Sequence, residues 1–441
     1  MLVLSLAATG LWAAAAEEEP AAAMEKEMVL DPTTGEMVEA PRYGGTLTFA
    51  TRLEAADSDM FVGGLQAGRA FSGVLEKLSI ADWAIDRSVN NLRNEFYALE
   101  DQIRPALAAS WENPDPNTYI FHIRQGVHWH KKAPMNGREL TAEDVVFNYH
   151  RLTGTGSGFS KPEGISSTIV SLEFESISAS DEYTVVVKLT KPRIDALWWL
   201  VEDNFAWIGP PEVIKQHGDH SDWRNLVGTG PFELTDWVEG SSLTWSKNTD
   251  YWGTDEKYPQ NRLPYIDTLR ALVMKDEASR LAALRSGKVD YIGANAASNI
   301  NTPDAVESVE RTNPDLKIWP YYFRSNAGMT YNLTNPPYSD IRVRKALQMA
   351  LDLDTVNDTY YKGLAVVTPQ GAMGNSLTQF TIHYDQWPEE IKAGYRYDPE
   401  AAERLLDEAG FPRGENGIRF TAAMDGLSCC LNPDYSREAP G

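Results

Sequence analysis

The stretch from Pro105 to Leu152, PALAASWENPDPNTYIFHIRQGVHWHKKAPMNGRELTAEDVVFNYHRL, constrains the fold more than any other part of the chain. Apolar residues alternate with others in Leu107-Ala108-Ala109-Ser110-Trp111 and again in Tyr119 to Arg124, which predicts two strands with one buried face each. Asn113-Pro114-Asp115-Pro116-Asn117 supplies the turn, since proline fixes φ and Asn and Asp accept turn geometry. After Gln125-Gly126, Val127 and Trp129 continue a short strand, and a polar loop leads to Thr141. Thr141 reads as a helix N-cap with Glu143 and Asp144 in the first turn, and Val145, Val146, Tyr149 and Leu152 share one helical face. Hairpin, loop and helix therefore form one folding unit.

A chain of 441 residues with 42% hydrophobic residues buries sizeable cores and divides into domains. Its formal charge of -23 repels phosphate backbones, so nucleic acid is an unsuitable partner. The two cysteines, Cys429 and Cys430, are adjacent and define no disulfide framework. Residues 1–16 are apolar and end in small residues, the pattern of a signal-peptide core, although no basic segment precedes them. No cysteine stands directly after this run, so a lipid anchor is not expected there. Residues 17–42, acidic and alanine-rich without a sustained period, are expected to form a flexible leader.

Further along, Gly44 to Ala50 alternates as a strand, and Phe71, Val74, Leu75 and Leu78 have helical spacing. Gly154-Thr155-Gly156-Ser157-Gly158 lacks the Gly-Lys-Ser/Thr of a phosphate loop and reads as a plain loop. Ile169 to Ile177 and Tyr183 to Leu189 read as two strands. Trp198, Trp199 and Trp207 suit either a pocket floor or a core, and core is the commoner fate. Leu269 to Ile292 reads as strand, helix, strand, whose crossover length favours parallel pairing of the two strands. Helices follow at Pro303 to Arg311, after Asp340 and after Asp398, with strands at Leu316 to Phe323, Met329 to Leu333 and Ile418 to Ala422.

The order of strand, Asn-Pro-Asp turn, F-H-I-R-Q-G-V-H-W-H and E-L-T-A-E-D-V-V-F-N-Y-H-R-L resembles the signature of family 5 extracellular solute-binding proteins, the peptide- and dipeptide-binding components of ABC importers. The opening G-G-T-L strand, G-T-G-P-F at 228–232, and Y-N-L-T-N-P-P-Y-S-D-I-R-V-R-K-A-L-Q-M-A-L-D from Tyr331 extend the resemblance across about Tyr43 to Phe420. Lys131-Lys132 departs from it, standing where many members carry an acidic or small residue.

The resemblance implies an α/β, two-lobed periplasmic-binding-protein fold, type II in its large peptide-binding variant. The first lobe would occupy 43–295, with an inserted subdomain over about 85–225, and the second 296–441. Related chains run further, so the second lobe is expected to be incomplete here. The loop after the first strand lines the cleft in the family, which makes Arg52, Leu53 and Glu54 candidates; a solvated loop is the plain alternative. Gly228, Thr229 and Gly230 are expected near the cleft in a structural role. Tyr331 and Asn332 would face the ligand, and Tyr361 and Gly363 belong to a loop preceding second-lobe contacts. Arg342 and Arg344 would meet either a ligand carboxylate or local acids.

His128 and His130 share one face of a strand near His122, but two ligands do not complete a metal site, and no His-Glu-x-x-His is present. Gly-x-Ser-x-Gly is absent too. The expectation is a monomeric, extracytoplasmic receptor without cofactor, not an enzyme, which passes a peptide or related small solute to a membrane ABC permease. The alternative from another class is a secreted hydrolase, metal-dependent or otherwise, acting on peptides.

Overall fold

A computed structural model of the chain describes residues 27–55, 57–59, 61, 68–71, 73–86, 102–163, 167–203, 205–293, 300, 302–318, 329–369, 382–414 and 417–419. The signal-like segment and both cysteines lie outside the described residues. The strands are β1 (Met28–Leu30), β2 (Met37–Glu39), β3 (Thr46–Thr51), β4 (Ser79–Ala81), β5 (Ile103–Pro105), β6 (Ala108–Asp115), β7 (Thr118–Ile123), β8 (Phe174–Asp181), β9 (Thr184–Leu189), β10 (Phe232–Val238), β11 (Ser242–Lys247), β12 (Thr268–Val273) and β13 (Tyr291–Ile292).

Two larger sheets organise them. One has the order β10-β11-β12-β3-β13, with β3 parallel to both β12 and β13. The other is antiparallel, in the order β6-β7-β9-β8. The expected strand, helix, strand run is present as β12, the Glu277–Arg285 helix and β13, but β3 lies between the two strands instead of letting them pair.

The hairpin and helix expected from Pro105 to Leu152 are both present. Asn113 donates its amide hydrogens to the carbonyls of Asp115 and Thr118, which tightens the β6–β7 turn. The helix spans Ala142–Thr153, and the Thr141 N–H donates to the Asp144 carboxylate, so an acid of the first turn closes the helix start. Val145, Tyr149 and Leu152 are buried along its inner face. With Phe121, Val185 and Val187 of the antiparallel layer and Trp129 of the loop after β7, Val145 and Tyr149 build the larger core. A second core joins Phe71, Val74, Leu75 and Leu152 to Trp245 and Ala271. Trp199 and Trp207 pack partly buried against this second core, the structural fate.

Several expectations need correction. Ile169 to Ile177 is not one strand: a short helix spans Ser167–Val170, and β8 begins only at Phe174. Residues 27–42 are not wholly a flexible leader: β1 and β2 pair as a hairpin around a turn with Gly35 at φ 72°, and Asp31 bonds Lys257 at 2.8 Å. Strands of three residues are too short to show a period in sequence. No helix runs over 71–78 either; a short helix ends at Phe71, Gly73 turns at φ 78°, and Glu76 bridges Ile208. All four apolar residues are buried nonetheless, so burial mimicked a helical period. Met329 to Asn332 forms no strand, because the Asn332 side chain accepts from the Thr334 N–H and hydroxyl and starts a turn. The expected strand at 316–323 falls largely outside the described residues, and that at 418–422 is described only as an isolated bridge, Arg413 to Arg419.

Candidate ligand-capture site

The contacts of the candidate residues fall into four groups. After β3, Leu53 folds back on Thr51, whose hydroxyl donates to the Leu53 carbonyl at 3.0 Å. Arg52 is exposed. Glu54 already has protein partners: its carboxylate accepts from the Gly240 N–H at 2.5 Å and the Trp237 indole at 3.4 Å, tying the loop to the β10–β11 turn.

Gly228, Thr229 and Gly230 form a buried joint. A Cβ at Gly228 would lie 1.8 Å from the Val74 carbonyl, and one at Gly230 would lie 2.4 Å from that of Gly73, so only glycine permits this approach. His130 is clamped here, its ring nitrogens bonded to the Gly230 carbonyl at 2.9 Å and the Gly228 N–H at 3.3 Å. The Gly228 amide makes Nδ1 the acceptor, so Nε2 carries the hydrogen. Burial lowers the affinity of this imidazole for a second proton, against the pull of the Gly230 carbonyl.

Thr229 leads to a polar cluster that sequence reasoning missed. The Glu76 carboxylate accepts from Thr229 and Tyr251 hydroxyls, each at 2.8 Å, and from the Trp252 indole at 3.0 Å. Burial pushes its carboxyl up to about 7, opposed by the Trp252, Thr229 and Tyr251 hydrogen bonds and by the charge of Arg124. The guanidinium of Arg124 lies 4.7 Å over Trp252. The one available signal was an acid, beside Lys77, among the apolar residues Val74, Leu75 and Leu78. A second buried network joins Asp59, Arg151 and His220: Arg151 donates to Asp59 at 2.8 Å and to Glu163 at 3.0 Å, and the His220 N–H donates to Asp59 at 3.1 Å.

Tyr331 and Asn332 line an open concavity of about 420 Å³ with Met329, Thr330, Asn335, Pro336 and Tyr338. The rings of Tyr331 and Tyr338 are 5.1 Å apart at 30°. Two tyrosines and two carboxamides give aromatic faces and neutral donors and acceptors with no carboxylate or ammonium among them. Arg342 and Arg344 take the local alternative: Arg342 pairs with Asp340 at 2.6 Å, and Arg344 donates to the carbonyls of Tyr338 and Ser339.

In the last group Tyr361 packs edge-on against Tyr360 at 4.8 Å, and Gly363 turns at φ 80°. Between them Lys362 pairs with Asp304 and Glu307, and the Asp304 hydrogen bond raises its pKa. The three weighed histidines have separate partners. His122 meets Glu112 at 2.7 Å, His128 the Gly137 carbonyl at 2.9 Å, and His130 the joint above. Among the described residues, no group of three or more potential ligands is arranged to hold a metal ion.

This arrangement of sheets and helices is the type II periplasmic-binding-protein fold. It is similar to the ABC transporter-associated periplasmic binding protein DppA of Helicobacter pylori, solved with peptide STSA, at a TM-score of 0.61 and 24% identity, over 85% of this chain and 68% of that one. It is also similar to the oligopeptide-binding protein AppA of Bacillus subtilis, solved with a nonapeptide, at a TM-score of 0.62 and 21% identity, over 87% and 68%. Residues 102–428 match the bacterial extracellular solute-binding proteins, family 5 middle, and the chain belongs to that family. Curated relatives include the dipeptide-binding protein of Escherichia coli, 28% identical over 337 residues, or 73% of this chain and 57% of that protein. The heme-binding protein A of Haemophilus influenzae is 27% identical over 349 residues, or 75% and 58%. The chain thus spans less than three fifths of the length of these two relatives.

Proposed function

We propose that this protein is the extracytoplasmic capture component of an ABC importer, binding a peptide or related small solute in a cleft between lobes and handing it to a membrane permease. The observation that carries this reading is the family match over residues 102–428. In this reading the first lobe is 43–295, with the 85–225 subdomain inserted, and the second lobe is 296–441. The concavity at 329–338 contributes Tyr331 and Asn332, whose aromatic face and carboxamide suit a neutral peptide backbone. Arg52, Leu53, Tyr361 and Gly363 complete the ligand side, while Glu54 and Gly228 to Gly230 support it. The protein works as a monomer whose cleft closes by hinge motion, without chemistry on the ligand. Among the described residues, no helix is long and apolar enough to cross a membrane.

Isothermal calorimetry of the full gene product against di- to tetrapeptides and heme tests this. Saturable one-to-one heat with a peptide, and unchanged peptide mass afterwards, is the expected result. Heme binding alone would move the ligand class, and cleavage of any peptide would make the protein a hydrolase.

A further inference from the structure

The Gly154-Thr155-Gly156-Ser157-Gly158 loop holds a serine hydroxyl against the His150 imidazole. It leaves the Ala142–Thr153 helix at Gly154, which caps the helix at φ 71° and donates its N–H to the His150 carbonyl at 2.8 Å. A Cβ at Gly154 would lie 2.2 Å from the Lys161 backbone. One at Gly156 would lie 2.7 Å from the His150 imidazole, so the backbone is pressed flat against that ring. Ser157 then stands at φ 51° and Gly158 at φ 91°, both left-handed, and the turn closes with the Phe159 N–H on the Gly156 carbonyl at 2.9 Å. Serine rarely adopts this conformation. Phe159, edge-on to Phe147 at 5.4 Å, anchors the far side.

All of this geometry delivers one contact. Ser157 Oγ lies 2.8 Å from His150 Nδ1, while His150 Nε2 lies 3.0 Å from the Ile177 carbonyl. A carbonyl only accepts, so Nε2 carries the hydrogen. In the neutral ring Nδ1 is then an acceptor, and the serine hydroxyl donates to it. A serine hydroxyl aimed at a base whose tautomer is fixed by a third group is the arrangement of an activated nucleophile. Ser157 is exposed, so a reagent reaches it.

We propose that Ser157, with His150 as its base, is a nucleophilic site that accepts an acyl group from small carboxylic esters. Oγ forms a bond to the ester carbonyl carbon while its proton passes to Nδ1. The carbon to leaving-oxygen bond then breaks, and the imidazole returns the proton to the departing alcohol. A carbonyl orients this imidazole where hydrolytic triads use a carboxylate, so acyl transfer is slower than in a dedicated hydrolase.

Incubating the full chain with p-nitrophenyl acetate and mapping acetyl groups by peptide mass tests the assignment. Ser157 is the expected serine adduct. In His150→Asn its rate falls on the order of a hundredfold, the size of a general-base contribution. Asparagine keeps an acceptor oxygen to hold the hydroxyl but takes no proton, which separates the base from simple loop support. Ser157→Cys gives a second readout, with iodoacetamide alkylation faster in this single variant than in the double variant that also carries His150→Asn. Unmodified Ser157 under conditions that acetylate surface lysines, or equal rates with His150 and with the His150→Asn change, would overturn the proposal.

Discussion

Glu76 is an acid surrounded by neutral donors, and the direction in which pH acts on it follows from its burial. Its carboxyl rises from an ordinary 4.5 to about 7 in the folded protein, so the folded state binds the proton more tightly than the unfolded chain. The resulting stability is fully present below pH 4.5 and is lost as pH rises through about 7. Chemical denaturation across that window is expected to show the urea midpoint falling as pH rises. Glu76→Gln flattens that slope and also lowers stability by about 1–3 kcal/mol, because the amide group leaves one of the Thr229, Tyr251 or Trp252 donors without an acceptor. A slope unchanged in the variant would place the titrating group elsewhere. No sequence period announces such a residue: Glu76 owes its environment to Thr229, Tyr251 and Trp252, more than 150 positions away.

The Ala142–Thr153 helix shows how much one acidic residue holds at the scale of an element. Asp144 accepts from Arg138 at 2.6 and 2.7 Å, from the Trp129 indole at 3.2 Å and from the Thr141 N–H at 3.0 Å. Arg138 also forks onto Glu212 at 2.6 and 2.7 Å, joining the Pro211–His217 helix to the unit. Asp144→Ala removes the cap and leaves a half-buried guanidinium with Glu212 as its one carboxylate partner, a loss of about 3 kcal/mol that a shifted denaturation midpoint would report. A loss under about 1 kcal/mol, the value of an exposed pair, would show that solvent replaces these bonds. This unit was legible in sequence because hairpin, turn, cap and apolar face are all local. The segment at 71–78 was not, since Gly73 and the approach of Gly228 and Gly230, both distant in sequence, straighten it.

Across the whole molecule, packing is uneven. Two large cores hold residues up to Ala271, whereas the Ile341–Met349 and Pro399–Glu408 helices share a small cluster of Ala346, Met349 and Ala402 with Leu405 and Leu406 against it. Native-state hydrogen exchange is expected to protect amides of β7, β9 and β11 longest and those of the two later helices least. Equal protection throughout would mean one cooperative unit. The family motifs pointed to Tyr331 and Asn332, but their turn is set by an Asn side chain, and the engagement of Glu54 depends on Gly240, 186 positions later.

The place of β3 in its sheet also sets the order of events at synthesis. Thr46 pairs with Thr268 and Phe49 with Tyr291, so the first strand of the main sheet has no sheet neighbour until the ribosome has made more than 220 further residues. At about 5–20 residues per second this leaves it waiting for roughly 11 to 44 seconds. The local β6–β7 hairpin and its helix close before then, and the main sheet assembles later around its earliest strand. A nascent chain halted before β12 would therefore display Thr46–Thr51 as an open strand, free to pair with whatever it meets.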